Sequence, residues 1–308
     1  MRKTEEFAEI YRDLEIRSDT EIATLILNAQ DDGLAAVRAA LPCLTAAAQA
    51  SAARLQKNSD GRIIYAGAGT SIRLGVQDGV ELVPTFGWTH ARLGYLIAGG
   101  ANALTQTMEG AEDDAAQAGR DAKAIKIGSA DICISLSASG STPYALGACE
   151  AARTAGAICI GIANNPDAPL LAAAEYPILL DSGPEPIRGS TRMTAGTAQK
   201  VTLNLLSTLI MIRLNRIYRG MMVDVIASSQ KLHDRAARIV MAASGVDEAA
   251  ARAALNASGN AVKPAILVAH GQKMTDAVAL LEAHDGNLRT ALATLSNSRR
   301  EEENTKQV

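Results

Sequence analysis

Two hydroxyl-rich turns carry the residue types best suited to chemistry in this sequence. The first is the stretch GAGTS, which contains Gly69, Thr70 and Ser71 and directly follows a short apolar run. A glycine turn between a strand and a helix exposes backbone N–H groups to an anion. Ile72 stands where a dinucleotide site needs its third glycine, and no acidic residue follows at the spacing of a ribose partner. The stretch therefore indicates a site for one phosphate, although a turn that only packs has the same composition.

The second turn, SASGST, also lies between an apolar run and a predicted helix. Four hydroxyls at the positive end of a helix dipole form a good nest for phosphate. Because Ser and Thr also cap helices without any ligand, that alternative stays open. If the two turns follow adjacent strands, they meet at the carboxyl edge of one sheet, where open α/β folds bind ligands. The expected binding residues of this turn are Ser137, Ser139, Gly140 and Thr142.

Carboxylates form the next group of candidates. Glu81 lies in the otherwise apolar stretch VELVPTF, and a carboxyl held among apolar groups suits a general acid because burial favours its protonated form. In EGAEDD, Glu109 and Glu112 are three residues apart and so share one helical face. Asp113 and Asp114 are more typical of a solvated helix terminus.

A third polar turn precedes a long helical pattern and contains the stretches GPE and GSTR. It adds Glu185 as a candidate, together with Arg192, which could bind an anion or form an ion pair. A metal site is not expected, because the histidines are scattered without ligand spacing. They are His90, His233, His270 and His284.

The elements that must position these residues are predicted from the apolar pattern. Five strand-length runs are continuously apolar, which is typical of strands buried on both faces of a parallel sheet, and helical patterns lie between them. This alternation predicts a doubly wound α/β domain. We predict an α/β domain with N-terminal helices over residues 1–245 and a small helical domain over 246–308. The predicted strands cover 62–66, 93–98, 131–136, 157–162 and 176–180.

Composition narrows the class of protein. The 308 residues are 48% hydrophobic and 20% charged, with a net charge of −3, which is typical of a compact soluble protein and argues against nucleic-acid binding. The acidic start, which lacks an apolar core of the signal-peptide kind, and the lack of an 18-residue apolar run predict no signal peptide and no membrane span. The four cysteines show no C-x-x-C spacing, so we expect a cytoplasmic protein without disulfides.

These segments, taken in order, resemble the N-acetylmuramic acid 6-phosphate etherases within the sugar isomerase (SIS) superfamily. The resemblance covers nearly the whole chain from about residue 14, and its longest shared stretches are the most specific. The matching stretches are GRIIYAGAGTS, VELVPTFG, LIAGG, MEGAEDD, SASGSTPY, GPEPIRGSTRMTAGTAQK, LNLLST, MMVDV and KLHDRAARIV.

The resemblance implies a three-layer α/β/α SIS domain with a mainly parallel sheet, a helical C-terminal region and a homodimer. It also implies a lyase of amino-sugar catabolism and peptidoglycan recycling that releases D-lactate from N-acetylmuramic acid 6-phosphate, with no cofactor and no metal. By the same resemblance, Glu81 and Glu112 match the two catalytic glutamates. Ser71, Ser137, Ser139 and Thr142 match the hydroxyls that hold the phosphate.

Three positions depart from the family pattern and keep two alternatives open. Ile72 replaces a glycine, Ser141 an arginine and Thr194 a lysine. The first alternative is a sugar-phosphate isomerase, or an etherase-like enzyme that acts on a different amino-sugar phosphate by the same proton chemistry at C2. The second is a non-catalytic sensor of sugar phosphates similar to the glucokinase regulatory protein.

Overall fold

A parallel β-sheet with helices on both faces forms the larger part of the structure. The computed structural model describes residues 2–227 and 229–306, with 298–306 described as backbone only. The strands of this sheet are β1 (Ile63–Gly67), β2 (Leu93–Ile97), β3 (Ile132–Leu136), β4 (Ile158–Ala163) and β5 (Tyr176–Leu179). The accompanying helices are α1 (Asp19–Lys57), α2 (Gly69–Phe86), α3 (Ala115–Ala124), α4 (Pro143–Thr154), α5 (Pro169–Ala173) and α6 (Thr194–Arg213).

The strand order confirms the predicted doubly wound class. The sheet runs β2-β1-β3-β4-β5, and all its pairings are parallel. The order reverses between β1 and β3, so the topological switch point lies between these two strands. Every residue of β1, β3 and β4 is buried, as continuous apolar runs predict, whereas the edge strands β2 and β5 are only partly buried.

Alternating residues of β1 show why helices are needed on both faces. Ile64 and Ala66 belong to a buried cluster with side chains of α3 and α4. Tyr65 points to the other face, where α2 approaches so closely that a Cβ on Gly75 would lie 3.2 Å from the Tyr65 Cβ. On that face α2 is joined to α6, because Asn204 donates a hydrogen bond of 2.7 Å to the α2 carboxylate of Asp78. The layers are therefore helix, sheet and helix.

The N-terminal region differs from the prediction. Residues 1–17 were expected to be helical, but their described part contains short 3-10 turns at Lys3–Glu5, Glu9–Tyr11 and Leu14–Ile16. The continuous helix α1 then begins after Ser18, because Ser18 and Glu21 cap each other's backbone N–H groups in a capping box.

Helix α1 is long and apolar enough to cross a membrane by length and composition, although the sequence predicts no span. Its buried residues instead face the rest of the sheet domain. At Gly33 the helix packs so closely on α6 that an added Cβ would lie 3.1 Å from the carbonyl oxygen of Thr194. We therefore interpret α1 as a core helix. Glycine is suited to position 33 because α6 leaves no room there for a side chain.

The chain divides into two units. The first comprises Met1–Val80 and His90–Ile210, and the second comprises Glu81–Thr89 and Met211–Val308. The second unit has its own core, which includes Val223, Val240, Ile266 and Leu267. The predicted domain boundary between residues 245 and 246 remains a prediction. Beyond α6 the elements are β6 (Ile217–Tyr218), β7 (Met221–Met222), α7 (Gln230–Ser244), α8 (Glu248–Ala257), α9 (Val262–Ala269), α10 (Met274–Ala283) and α11 (Leu288–Lys306).

Candidate active site

Both predicted phosphate turns lie at the carboxyl edge of the sheet, beside its switch point. β1 and β3 are neighbours, with Gly67 opposite Leu136. β1 leads into α2, which begins at Gly69, and β3 leads into the turn before α4. Gly69 has a φ of +54°, a left-handed conformation that glycine adopts without the steric cost of a Cβ. The structure thus brings the two turns together where doubly wound folds bind ligands.

The hydroxyls of the second turn are bonded to one another. Ser137 Oγ lies 2.9 Å from Thr142 Oγ1 and 3.2 Å from Ser139 Oγ. It also accepts a hydrogen bond of 3.0 Å from the backbone N–H of Gly140. The side chain of Thr142 precedes α4 but makes no capping bond to it. These hydroxyls are therefore pre-positioned as a group at the helix N-terminus and are not used up as its cap.

A polar cavity of about 310 Å³ opens beside these hydroxyls. It adjoins a second cavity of about 390 Å³, with which it shares four residues, including Glu112. Seven of the residues predicted from the sequence line the first cavity together, all within the first unit. They are Gly69, Thr70, Ser71, Glu112, Ser137, Ser139 and Thr142.

Glu112 brings a carboxylate to the hydroxyl-lined cavity. It lies in a short 3-10 turn, Ala111–Asp113, and its side chain is exposed. Glu109 lines only the second cavity. The loop before these glutamates is held by Arg73, whose guanidinium donates hydrogen bonds of 2.8–3.0 Å to the Ala103 carbonyl and one of 3.1 Å to the Gln106 carbonyl. The carboxylate of Glu112 and the hydroxyls of the second turn therefore border the same cavity.

An N-terminal segment that the sequence did not single out also lines this cavity. Arg2, Thr4 and Glu5 contribute to its wall. Thr4 is buried, and its backbone N–H donates to Asn165 Oδ1 at 3.3 Å across 161 positions of sequence. No local pattern encodes a contact at that separation, and the resemblance to the family begins only at about residue 14, so the sequence gives no signal for this segment.

Glu185 is buried below the third polar turn. Its two carboxylate oxygens accept hydrogen bonds of 2.9 Å and 2.8 Å from the backbone N–H groups of Thr194 and Ala195 at the start of α6. Burial raises the pKa of Glu185, and the hydrogen bonds from these residues act against that rise. The carboxylate thereby fixes the turn whose residues Gly189 and Thr191 line the first cavity.

Replacing Glu185 with alanine is expected to lower the free energy of unfolding by about 1–3 kcal/mol, because two N–H groups of α6 lose their partner. Urea denaturation measures this, with the exposed Glu175→Ala as the control.

Because the pKa of Glu185 is raised on folding, its contribution to the free energy of unfolding is complete below about pH 4.3 and declines as the pH rises through the folded pKa. As the pH rises from about 4.3 through the folded pKa, the difference in free energy of unfolding between the wild type and Glu185→Gln should shrink. A difference that stays constant with pH would contradict the raised pKa of Glu185.

Several other residues singled out from the sequence, like Glu109 and Glu185, also lie outside the wall of the first cavity. Gly140 is buried behind it, with a φ of +67°. Arg192 is exposed beside the third turn, and Ile72 is completely buried in the core. Glu81 is exposed on α2 and belongs to the second unit, so the apolar surroundings predicted for it are not found.

Comparison with known proteins shows what this chain is similar to. A family model for the glucokinase regulatory protein N-terminal SIS domain matches residues 46–153, which is less than half of the chain. An N-acetylmuramic acid 6-phosphate etherase of Deinococcus radiodurans is 48% identical, over 94% of this chain and 95% of the relative. One of Streptomyces avermitilis is 45% identical, over 94% and 93% of the two chains. A solved phosphoheptose isomerase of Francisella tularensis aligns with a TM-score of 0.44 at 16% identity, over 64% of this chain and 98% of that one.

Proposed function

The chain belongs to the family of N-acetylmuramic acid 6-phosphate etherases, and we propose that it releases D-lactate from N-acetylmuramic acid 6-phosphate, leaving N-acetylglucosamine 6-phosphate. The observation that carries the proposal is the cavity at the switch point of the sheet, where interlinked hydroxyls and the carboxylate of Glu112 face the same space. A phosphorylated sugar needs both features, one to hold its phosphate and one to move a proton.

The phosphoryl group binds at the two strand-to-helix turns. Ser71, Ser137, Ser139 and Thr142 donate hydrogen bonds to its oxygens, and the N-termini of α2 and α4 add favourable dipoles. Gly69 and Thr70 of the first turn add backbone and hydroxyl groups to the cavity wall. The phosphate thereby anchors the sugar so that its second and third carbons stay at a fixed distance from the turns.

The reaction consists of an elimination followed by the addition of water. In the open form of the sugar, the aldehyde at C1 makes the proton on C2 acidic. Glu112 removes this proton and the C3–O bond breaks, so that a C2–C3 double bond forms. Glu81, assigned to this step only from its match to the family stretch VELVPTFG, protonates the departing lactyl oxygen. Glu81 then activates water, whose hydroxyl adds to C3 while a proton returns to C2. No step transfers an electron or needs a metal ion.

The experiment that tests the function is an assay for D-lactate after incubation with N-acetylmuramic acid 6-phosphate. Product analysis should show equal amounts of lactate and N-acetylglucosamine 6-phosphate. The unphosphorylated sugar is the matched control and should react at least about 100-fold more slowly, because it lacks the anchoring group. Exchange of the C2 proton on other hexosamine phosphates without lactate release would instead support an isomerase.

The residues that depart from the family pattern do not favour that alternative. Ile72 and Thr194 are both completely buried, so their side chains pack inside the fold and do not reshape the cavity wall. Thr194 moreover donates its backbone N–H to Glu185. The remaining departure, Ser141, lies in the hydroxyl turn and is hydrogen-bonded to a guanidinium. The etherase activity is therefore the better supported function.

A homodimer in the cytoplasm is the proposed form of the protein. Three exposed leucines, Leu27, Leu34 and Leu41, repeat at heptad spacing along α1, while Val37 and Leu44 on the same helix are buried in the fold. Such a stripe of large apolar side chains is typical of a face that packs against another helix.

Leu34→Glu is expected to weaken the dimer at least about 10-fold, because a charge would be buried between the two helices. Sedimentation velocity at several protein concentrations measures the change. Ala46→Glu, an exposed position off this stripe, is the control and should leave the dimer intact. A wild-type protein that stays monomeric at high micromolar concentration would refute the proposed assembly.

A further inference from the structure

The segment around Thr4 lies along the hydroxyl-lined cavity and is fastened to the turn that carries the hydroxyls. Asn165 links the two, because its side-chain amide donates to Thr4 Oγ1 at 3.2 Å and to the Ala138 carbonyl at 2.8 Å. Ala138 stands between Ser137 and Ser139 in sequence. The position of Thr4 is thus set by the same turn that is proposed to hold the phosphate.

The other side of the segment is fastened to the third polar turn. The backbone N–H of Gly189 donates to the Thr4 carbonyl at 3.2 Å, and Arg188 Nε donates to the Glu5 carbonyl at 2.7 Å. Lys3 forms an ion pair of 2.5 Å with Asp181. Bonds on both sides hold the segment 2–5 in place, so the side chain two positions before Thr4 is directed and not randomly oriented.

That side chain is Arg2, whose guanidinium reaches the hydroxyls of the second turn. Its Nη2 donates to Ser141 Oγ at 2.6 Å, and Ser141 Oγ in turn donates to Ser139 Oγ at 3.3 Å. Its Nη1 lies 3.2 Å from Glu5 Oε1. The side chain is 48% exposed, so part of its donor capacity is open to a ligand.

Charge balance in the cavity calls for such a cation. Among the described residues that line it, Arg2 carries the only positive charge, whereas Glu5 and Glu112 carry negative ones. A phosphomonoester brings a charge of about −1.5 to −2 at neutral pH. Hydroxyls and amides alone would leave that charge close to two carboxylates, and a guanidinium forms strong paired hydrogen bonds to phosphate oxygens.

We propose that Arg2 is a phosphate-binding residue of this enzyme, which turns from Glu5 to the phosphoryl group of the substrate when that group occupies the hydroxyl turn. The inference rests on the proposed function for the identity of the ligand. The change of partner costs little, because an exposed ion pair between residues three apart contributes at most about 1 kcal/mol. The segment 2–5 therefore supplies a positive charge that the two turns of the sheet do not provide.

Titration calorimetry with the product, N-acetylglucosamine 6-phosphate, tests the proposal in the full-length protein. Arg2→Gln should raise the Kd about 10- to 50-fold, and Arg2→Lys should recover part of the loss because it keeps the charge but not the fork of donors. Arg12→Gln is the matched control, since Arg12 lies in the same N-terminal region, pairs with Glu9 and is not part of the cavity wall. Melting temperatures should be unchanged in all three variants.

The choice of ligands separates the possible outcomes. The product lacks the lactyl carboxylate, so an Arg2→Gln effect seen only with N-acetylmuramic acid 6-phosphate would assign Arg2 to that carboxylate and overturn the proposal. Equal affinity of the wild type and Arg2→Gln for the product would also overturn it. If the wild type binds the product through Arg2 but releases no lactate, the inference stands and the etherase function fails. No binding of any sugar phosphate or of inorganic phosphate would overturn both.

Discussion

Replacing Glu112 with glutamine is expected to reduce D-lactate release by about 10³-fold or more. Removal of a positioned general base typically costs 10²- to 10⁴-fold, and the amide of glutamine cannot take a proton from C2. Glu112 lines both adjoining cavities, so no other predicted catalytic group replaces it at this position. Binding of N-acetylglucosamine 6-phosphate should stay within about threefold of the wild type, because the hydroxyl turns are untouched.

A second measurement identifies which step fails. In deuterated water the wild type should exchange the C2 proton of the substrate, whereas Glu112→Gln should lose exchange and lactate release to the same extent. Asp113→Asn, which changes an adjacent exposed carboxylate, is the control and should retain activity within a factor of about two. If Glu112→Gln exchanged the C2 proton at the wild-type rate, another residue would be the base.

Local sequence signals predicted the sheet well, because its strands are buried on both faces. The runs at 131–136 and 157–162 were identified from unbroken apolarity, and the structure has β3 and β4 at those places. Edge strands have a weaker apolar pattern, yet the predicted end of β5 differs from the structure by only one residue. The hairpin of β6 and β7 was missed, since its strands have two residues each and no alternating pattern.

The part of the fold that sequence reasoning missed is held by distant partners. Helix was expected before residue 18, but Thr4 bonds to Asn165 and Gly189, contacts that a helical periodicity cannot encode. Helix α1 also continues through Gly33 because of a contact with a distant helix. A glycine in a lone helix weakens it, yet here the missing side chain lets α1 lie directly against α6.

The candidate site likewise has parts that local sequence predicts and parts that depend on distant partners. Its two phosphate turns were predictable, because each is a contiguous stretch and the topology brings adjacent strand ends together. Arg2 was not, since its position depends on a chain of bonds through Thr4 and Asn165. Glu185 was identified as polar and important, but only the structure reveals that both its oxygens serve the backbone of α6.

Glu81→Gln is expected to separate the two halves of the reaction. The assignment of Glu81 rests on the family stretch VELVPTFG, since its side chain is exposed on α2 and is not part of the wall of either cavity. If Glu81 protonates the lactyl oxygen, the variant should lose about 10²- to 10⁴-fold in lactate release while C2 exchange continues near the wild-type rate. Asp276→Asn, another exposed carboxylate of the second unit, should change neither rate.

The leaving group offers an independent check on that role. An alkoxide leaves only with the help of an acid, whereas a halide leaves without a proton. An analogue with a halide at C3 should therefore be eliminated by Glu81→Gln at close to the wild-type rate, and Glu112→Gln should remain inactive on it because the C2 proton must still be removed. If Glu81→Gln lost the same factor in elimination rate on the ether and on the halide, Glu81 would act before or after the cleavage of the bond to the leaving group. The roles of the two glutamates would then have to be reassigned.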